Sequence, residues 1–200
     1  MNKRKIRAKD AVNTVWWLSK SDHPKADISQ VLVPYSERMK KLIRDQSKYY
    51  TPKQRPSGHD ISARFGEDNG GAIPSNLLEI PNTESNSQYL RLCKAANVKG
   101  HPARFPERLP AFFIQFLTEP GDLVLDIFAG SNTTGSAAER LSRRWLAFEL
   151  SREYLAASVF RFVESESPSD AISLYRKLLQ DDEKTLVLKR QGNPLSPLPA

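Results

Sequence analysis

The hydrophobic positions of this chain fall into short clusters separated by long polar stretches. The clearest cluster, Leu123–Asp126, is an apolar run that ends in a carboxylate, which is typical of a short buried strand. A turn of small residues follows at 129–132, and residues 133–141 then carry alanines and good helix formers. The order of strand, tight turn and helix predicts the first crossover of a nucleotide-binding α/β fold.

A second predicted strand, over 145–150, carries Glu149 near its end, about 20 residues after the turn. An acid at this spacing usually accepts hydrogen bonds from ribose hydroxyls. The turn alone is weak evidence, because Gly130 and Gly135 are its only glycines and the dinucleotide pattern G-x-G-x-x-G is absent. An ordinary strand–turn–helix corner, in which Asp126 caps the helix, therefore stays open as the plainer interpretation.

The rest of the apolar pattern predicts one more strand and four further helices. A run of β-branched and aromatic residues predicts a buried strand at 11–18, although no earlier strand in this chain could pair with it. The four helices are predicted from clusters of apolar residues at helical spacing, and they cover 35–45, 106–117, 152–164 and 172–179.

The charge distribution points to a polyanionic partner. Residues 1–60 hold 14 Lys and Arg against 6 Asp and Glu, an excess of +8, whereas the remaining residues sum to −1. A basic arm beside a neutral nucleotide-type fold suggests a polyanion partner, and a merely solvated surface is the alternative. In the predicted helix 35–45, which Ser36 can cap, apolar and basic residues take opposite faces: Met39, Leu42 and Ile43 against Arg38, Lys41 and Arg44.

A long irregular stretch rich in Gly, Asn, Ser and Pro runs from 49 to 88. Loops of this length in compact proteins are usually functional or disordered, so we interpret it as part of a DNA-recognition region, with a flexible linker as the alternative. The residues predicted to contact DNA are Lys3, Arg4, Lys5, Arg38, Lys41, Arg55, His59 and Arg64, and the side chains also able to reach base edges are Asn69 and Gln88.

Bulk composition excludes several classes of protein. With 39% hydrophobic and 26% charged residues the chain is expected to be soluble and globular, and no apolar run approaches the roughly 20 residues that span a bilayer. Cys93 is the only cysteine, which excludes an intramolecular disulfide and a multi-cysteine zinc cluster. We therefore expect a cytoplasmic protein with no signal peptide and no membrane or metal partner.

Several blocks taken together resemble a known enzyme family. They are His101-Pro-Ala-x-Phe-Pro-x-x-Leu-Pro110, Asp126-x-Phe-x-Gly-Ser-x-Thr-Thr134, Glu149 and Tyr154. The combination resembles the cofactor half of the amino-DNA methyltransferases, which methylate cytosine N4 or adenine N6. The His-Pro-Ala block stands just before the glycine turn, and this order resembles the permuted β-class arrangement.

Two upstream blocks, at 12–20 and 34–43, resemble the cytosine-N4 modification methyltransferases of the PvuII type, so the resemblance covers about residues 2 to 165. It implies an α/β fold: a partial Rossmann-like S-adenosylmethionine-dependent methyltransferase fold with an irregular DNA-recognition insertion. The implied divisions of the chain are a basic arm and edge strand at 1–20, a DNA-recognition region at 21–100, an S-adenosylmethionine-binding portion at 101–165, and a C-terminal helix and tail at 166–200.

The resemblance also implies S-adenosyl-L-methionine as the methyl donor, double-stranded DNA as the partner, and a bacterial-type, nucleoid-associated location. The residues implied to bind it after the strands are Asp126, Phe128, Gly130, Ser131, Asn132, Thr133, Thr134 and Glu149. The residues implied to close the other side of the pocket are His101, Pro102, Ala103 and Phe105.

Within that set, the resemblance implies a role for each group of residues. Phe128 and Gly130 line the methionine end of the cofactor, Asp126 lies beneath it, and Glu149 binds the ribose hydroxyls. The residues implied to face the amino or carboxylate group are Ser131, Thr133 and Thr134.

Two positions depart from the family pattern. The usual Pro after the Asp is Ile127, and the usual second Gly is Asn132. Asn tolerates left-handed backbone angles, so the turn is expected to survive.

The family's catalytic motif, Ser/Asp/Asn-Pro-Pro-Tyr/Phe, holds the target amine while the base is flipped. The sequence contains no Pro-Pro pair, and Val33-Pro34-Tyr35 lacks both the polar residue and one proline. In the permuted order the motif precedes residue 1, so we expect the C-terminal part of a cytosine-N4 methyltransferase that is nearly inactive alone and holds no catalytic residue. Two alternatives stay open: one chain of a split enzyme whose partner carries the motif, or a non-catalytic DNA-binding protein. A nucleotide-dependent oxidoreductase fits poorly because two fingerprint glycines are missing.

Overall fold

The computed structural model describes residues 12–45, 47, 63–81, 85–163 and 167–180. The helices within these ranges are α1 Glu37–Arg44, α2 Gln88–Ala95, α3 Arg108–Leu117, α4 Thr133–Arg140, α5 Arg152–Ala157 and α6 Pro168–Gln180. The strands are β1 Leu123–Asp126 and β2 Arg144–Ala147, and the short 3-10 turns are Ile28–Val31, Ala63–Gly66 and Ser158–Arg161.

The parallel pair β1–β2, joined through α4, confirms the predicted crossover. Leu123 lies opposite Arg144, and Asp126 lies opposite Ala147. Alternate residues of each strand point to the same side, so one face of the pair packs on α3 and α4. The contacts on that face are made by Val124, Trp145, Ala111, Ile114, Ala137 and Ala138.

The opposite face of the two strands is open among the described residues. Leu125 and Leu146, which lie opposite each other in the register, are 57% and 47% exposed. Leu123 and Phe148 are also more than half exposed. The prediction of a buried strand is therefore wrong for this face, because the described helices α3 and α4 pack on the other one.

A second core forms around α2, α6 and the 3-10 turn Ser158–Arg161. Its largest fully buried side chains include Tyr89, Cys93, Phe160 and Val163. Helix α2 was not predicted, although Tyr89, Leu92 and Cys93 are spaced at i, i+3 and i+4 and all three are buried. Helix α2 lies in the region 21–100 that was assigned to DNA recognition, yet it packs on the helices that follow β2.

The strand predicted at 11–18 is not observed over 12–18, the part of it that the structure describes. These residues carry no strand or bridge assignment, and Val12, Val15, Trp16 and Leu18 are exposed. The ring of Trp17 packs edge-on against Phe116 of α3, with 5.5 Å between the ring centroids. A strand needs hydrogen bonds from a neighbouring strand, and apolar composition alone does not supply them.

The other predicted helices form with shifted ends. Helix α1 begins after Ser36, whose hydroxyl accepts a hydrogen bond from the Met39 amide at 3.2 Å, and it buries Leu42 as predicted. Helix α3 begins two residues later than predicted, and α6 is longer than the predicted 172–179. The helix predicted at 152–164 is shorter and continues as the 3-10 turn.

Candidate functional site

The hydrogen-bond ladder between the strands continues beyond their carboxyl ends. The Phe148 amide donates to the Asp126 carbonyl at 2.8 Å, and the Ala129 amide donates to the Phe148 carbonyl at 2.9 Å. The chain after β2 therefore runs beside the turn after β1. This pairing brings Glu149 next to Gly130, as the sequence predicts.

The Glu149 carboxylate accepts hydrogen bonds from two backbone amides of the neighbouring turns. The Gly130 amide donates to Oε2 at 2.8 Å, and the Ser151 amide donates to Oε1 at 2.9 Å. The Ser151 amide, helped by the Gly130 amide, lowers the pKa of Glu149 below its usual range, although partial burial opposes the shift. An ionised carboxylate has about four acceptor positions, more than these amides use, so it can still accept bonds from hydroxyls.

Gly130 lies directly under the imidazole of His101. Its φ is +53°, and an added Cβ would lie 3.0 Å from Cε1 of His101. A side chain at this position would therefore meet both backbone strain and the ring. The ring itself is held by the Ala103 carbonyl, 2.8 Å from Nδ1, and by an edge-on contact with Tyr154. The two stretches that the sequence placed on opposite sides of the pocket thus lie against each other.

Asn132 closes the turn in the left-handed conformation, with φ 57° and ψ 43°. Its Oδ1 accepts a hydrogen bond from the Gly135 amide at 3.0 Å, so Asn132 caps α4. This confirms that the turn survives without the usual glycine. The alternative in which Asp126 caps the helix is wrong, because Asp126 Oδ1 instead accepts from the nearby Phe128 amide at 3.0 Å.

The remaining residues implied to bind the cofactor divide into buried and exposed groups. The side chains of Ser131 and Thr133 are buried, and their hydroxyl oxygens lie 3.3 Å apart. Both hydroxyls thus already have protein partners, whereas Thr134 is half-buried. Phe128 is 81% exposed. The exposed residues of the other wall are Pro102, Ala103 and Phe105.

Two residues that sequence reasoning missed hold this arrangement in place. Arg161 donates from Nε to the Ser131 carbonyl at 2.8 Å and from Nη2 to the Ser131 hydroxyl at 3.0 Å. The Tyr89 hydroxyl accepts from the His101 amide at 3.0 Å. The sequence offered one signal for such a residue: Arg161 is a cation between two aromatic residues, Phe160 and Phe162.

Of the residues predicted to contact DNA, the structure describes Arg38, Lys41 and Arg64. All three are exposed. Helix α1, which carries the first two, packs on the 3-10 turn that carries Arg64. Arg64 pairs with Glu67, with 3.2 Å between Nε and Oε2. The residues that lie outside the described ranges are Lys3, Arg4, Lys5, Arg55 and His59.

The two polar side chains expected to reach base edges differ in their surroundings. Asn69 is exposed, and its backbone amide donates to the Tyr35 hydroxyl at 2.8 Å. Gln88 Nε2 donates to the Val163 carbonyl at 3.2 Å. This bond ties the Gln88 amide to the second core, and contact between Gln88 and a base stays a prediction.

Two further features are absent from the residues that the structure describes. None of their helices is long and apolar enough to cross a membrane. Within the same ranges, no group of three His, Cys, Asp or Glu side chains could hold a metal ion.

Comparison with known proteins identifies the family. The family model for N6/N4 methyltransferases, described as DNA methylase, matches residues 1–160. The chain belongs to the N6/N4 DNA methylase family. The resemblance drawn from the His-Pro-Ala block and the glycine turn is thereby confirmed.

Individual relatives include methyltransferases of both specificities. The chain is 60% identical over 187 residues to the type II methyltransferase M.PvuII of Proteus hauseri, covering 93% of this chain and 56% of that protein. It is 31% identical over 106 residues to the DNA adenine methyltransferase YhdJ of Escherichia coli K12, covering 52% of this chain and 33% of that protein. The chain thus spans about half the length, or less, of these relatives.

A solved structure shares the fold. The cytosine-N4-specific PvuII DNA methyltransferase superimposes with a TM-score of 0.65 and 48% identity, covering 88% of this chain and 50% of that one. The match confirms the predicted α/β methyltransferase fold.

Proposed function

We propose that this chain is the cofactor-binding and DNA-recognition portion of a site-specific DNA methyltransferase, which transfers a methyl group from S-adenosylmethionine to cytosine N4. The observation that carries the proposal is the ionised Glu149 beside Gly130, under His101, at the carboxyl ends of two parallel strands. Ligands of open α/β sheets bind at this edge. The 60% identity to M.PvuII, against 31% to an adenine methyltransferase, favours cytosine N4 over adenine N6.

The donor set suits the chemistry of S-adenosylmethionine. Glu149 has acceptor capacity for the two ribose hydroxyls, and the exposed ring of Phe128, on the turn after β1, offers an apolar surface to the methionine end. When bound, S-adenosylmethionine supplies an electrophilic methyl group on a sulfonium sulfur. In our proposal the residues of this chain bind the cofactor and orient that methyl group, and Gly130 leaves room for the His101 ring to pack against the turn.

The portion that holds the target amine is proposed to lie on polypeptide that covers the open face of β1 and β2. Parallel strands are normally covered on both faces, yet Leu125 and Leu146 expose apolar side chains on this one. The covering polypeptide would be the counterpart of the half of M.PvuII that this chain does not match. It belongs either to one longer enzyme or to a separate chain of a split enzyme, in a bacterial restriction–modification system.

Calorimetry with S-adenosylmethionine tests the cofactor site. We expect the folded wild-type protein to bind, and Glu149→Ala to bind about tenfold to a hundredfold more weakly, because hydrogen bonds to a charged acceptor are lost. Glu153→Ala, an exposed carboxylate on α5, is the matched control and should bind like wild type. The cofactor assignment fails if folded wild type gives no heat, or if Glu149→Ala binds normally.

Methyl transfer needs a separate test. A second polypeptide corresponding to the unmatched half of M.PvuII is added to this chain, and tritium transfer to cytosine in DNA is measured. Transfer that requires both polypeptides supports the split-enzyme form. Folded mixtures that bind cofactor and DNA without transferring methyl groups support the non-catalytic alternative instead.

A further inference from the structure

The proposed cofactor pocket has two walls, one formed by the stretch around His101 and the other by the turn that carries Ser131. A residue of the second core forms hydrogen bonds to each wall. On one side, the Tyr89 hydroxyl accepts the hydrogen bond of the His101 amide. On the other, the Arg161 guanidinium donates to the carbonyl and the hydroxyl of Ser131. His101 and Ser131 flank Gly130, so both bonds act on the position where the walls meet.

Tyr89 and Arg161 also contact each other. The guanidinium carbon of Arg161 lies 4.8 Å from the centroid of the Tyr89 ring, which is a cation–π geometry. Tyr89 is 2% exposed, so this contact is largely removed from water. An unbroken path therefore runs from His101 through Tyr89 and Arg161 to Ser131.

The Tyr89 hydroxyl is kept in one protonation state. Burial raises the pKa of Tyr89 to about 12, although the His101 amide favours the ionised form. The hydroxyl is therefore protonated at neutral pH and can accept from the His101 amide while it interacts with the Cys93 thiol.

We propose that Tyr89 and Arg161 are positioning residues for cofactor binding, which set the spacing between the His101 wall and the Ser131 wall. The proposal rests on the proposed cofactor site. Tyr89 is inaccessible to a ligand, and Arg161 acts through its bonds to Ser131. Their contribution is thus the geometry of two loops that approach the cofactor from opposite sides.

Conservative substitutions separate this role from packing. Tyr89→Phe keeps the buried ring and its contact with Arg161, but leaves the His101 amide without its acceptor. Arg161→Lys keeps the positive charge, but a single ammonium does not reproduce the planar fork that bonds both oxygens of Ser131. Neither variant opens a large cavity, so a change in ligand affinity reports on the loops.

Matched controls lie elsewhere in the same molecule. Tyr175→Phe removes the hydroxyl of another buried tyrosine, one that packs on Phe160. Arg143→Lys removes an arginine fork that bonds the carbonyls of Leu141 and Thr118 instead of the pocket walls. These controls match the chemistry of the test variants and leave the His101–Ser131 path intact.

The experiment measures S-adenosylmethionine affinity of the full chain by calorimetry and backbone amide exchange by NMR. We expect Tyr89→Phe and Arg161→Lys each to weaken binding about threefold to tenfold, while the two controls bind like wild type. In the unliganded Tyr89→Phe protein, the His101 amide should exchange faster while amides of α6 stay as protected as in wild type. The double variant should lose less than the product of the two single losses, because releasing one wall makes the other bond ineffective.

The outcomes separate failure of the positioning role from failure of the proposed cofactor-binding function. If folded wild type does not bind S-adenosylmethionine, the proposed function fails and this inference fails with it. If wild type binds and both test variants bind like their controls, only the positioning role is overturned. Unchanged His101 exchange in Tyr89→Phe, or strictly multiplicative losses in the double variant, would also overturn it.

Discussion

Glu149 is positioned by backbone amides, since its carboxylate oxygens accept from Gly130 and Ser151. Amide donors direct a carboxylate more rigidly than a flexible surface cation, because both amides belong to ordered turns. The same bonds are stronger to a negative acceptor than to a neutral one. The ionisation of Glu149 therefore stabilises both the local fold and the proposed cofactor site.

This dependence gives a pH prediction for Glu149. Its folded-state pKa is lowered, so its contribution to the free energy of unfolding is present above the ordinary carboxyl pKa of about 4.3 and is lost as pH falls through the lower folded value. We expect the stability difference between wild type and Glu149→Gln to shrink as the pH falls below the ordinary carboxyl value.

Urea unfolding of both proteins at each pH checks this prediction. The charge interaction between His101 and Glu149 exists only in wild type, so the difference between the two proteins reports the carboxylate together with that interaction. A difference that does not change down to pH 3 would show that the bonds to Gly130 and Ser151 do not depend on the charge.

At the scale of elements, the junction between the turn and α4 depends on one unusual residue. Asn132 combines a left-handed backbone with a side-chain cap on the Gly135 amide. A Cβ on Gly135 would lie 2.3 Å from Asn132 Oδ1, so a glycine there leaves room for the cap. The pair Asn132 and Gly135 therefore acts as one unit that starts the helix beside the site.

Substitutions at Asn132 separate the two contributions. Asn132→Ala loses the cap and replaces Asn by a residue that tolerates the left-handed angles less well, so we expect a loss of about 2–3 kcal/mol in the free energy of unfolding. Asn132→Gly loses the cap but adopts the backbone angles freely, so we expect a loss of only a few tenths of a kcal/mol. Urea unfolding measures both, and equal losses in the two variants would contradict the importance of the left-handed angle.

At the scale of the whole molecule, the predicted DNA surface and the open sheet face are separate features. Arg38 and Lys41 lie on the exposed side of α1, whereas Leu125 and Leu146 lie on β1 and β2. Cations suit a phosphate backbone, and an apolar sheet face suits another layer of protein. Each surface can therefore be tested by itself.

Neutralising the cations of α1 should weaken DNA binding and its dependence on salt. We expect the double variant Arg38→Gln with Lys41→Gln to reduce the slope of log affinity against log salt by about one for each DNA phosphate that the protein no longer neutralises. The matched control, Arg176→Gln with Lys177→Gln, removes the same charge from exposed positions of α6. Gel-shift titrations over a salt series measure both, and equal effects would indicate that only net charge matters.

The sequence by itself determined the elements whose signals are local. The crossover β1–α4–β2, the Ser36 cap and the apolar face of α1 depend on residues within a few positions of each other, where periodicity and capping act. The left-handed Asn132 was likewise predictable from residue type. The spacing after the turn also pointed to Glu149, and the resemblance implied the same role, although its bond to the Gly130 amide is a feature of the folded chain.

Only the tertiary structure decided which side chains meet across long separations. Three hydrogen bonds join residues that lie 12, 30 and 75 positions apart in the chain: Tyr89–His101, Arg161–Ser131 and Gln88–Val163. Each bond depends on how the helices pack. Residue type predicts that a group is polar but not where its partner lies. For the same reason, residues 12–18 have the composition of a strand without being one: pairing is a property of the neighbouring backbone.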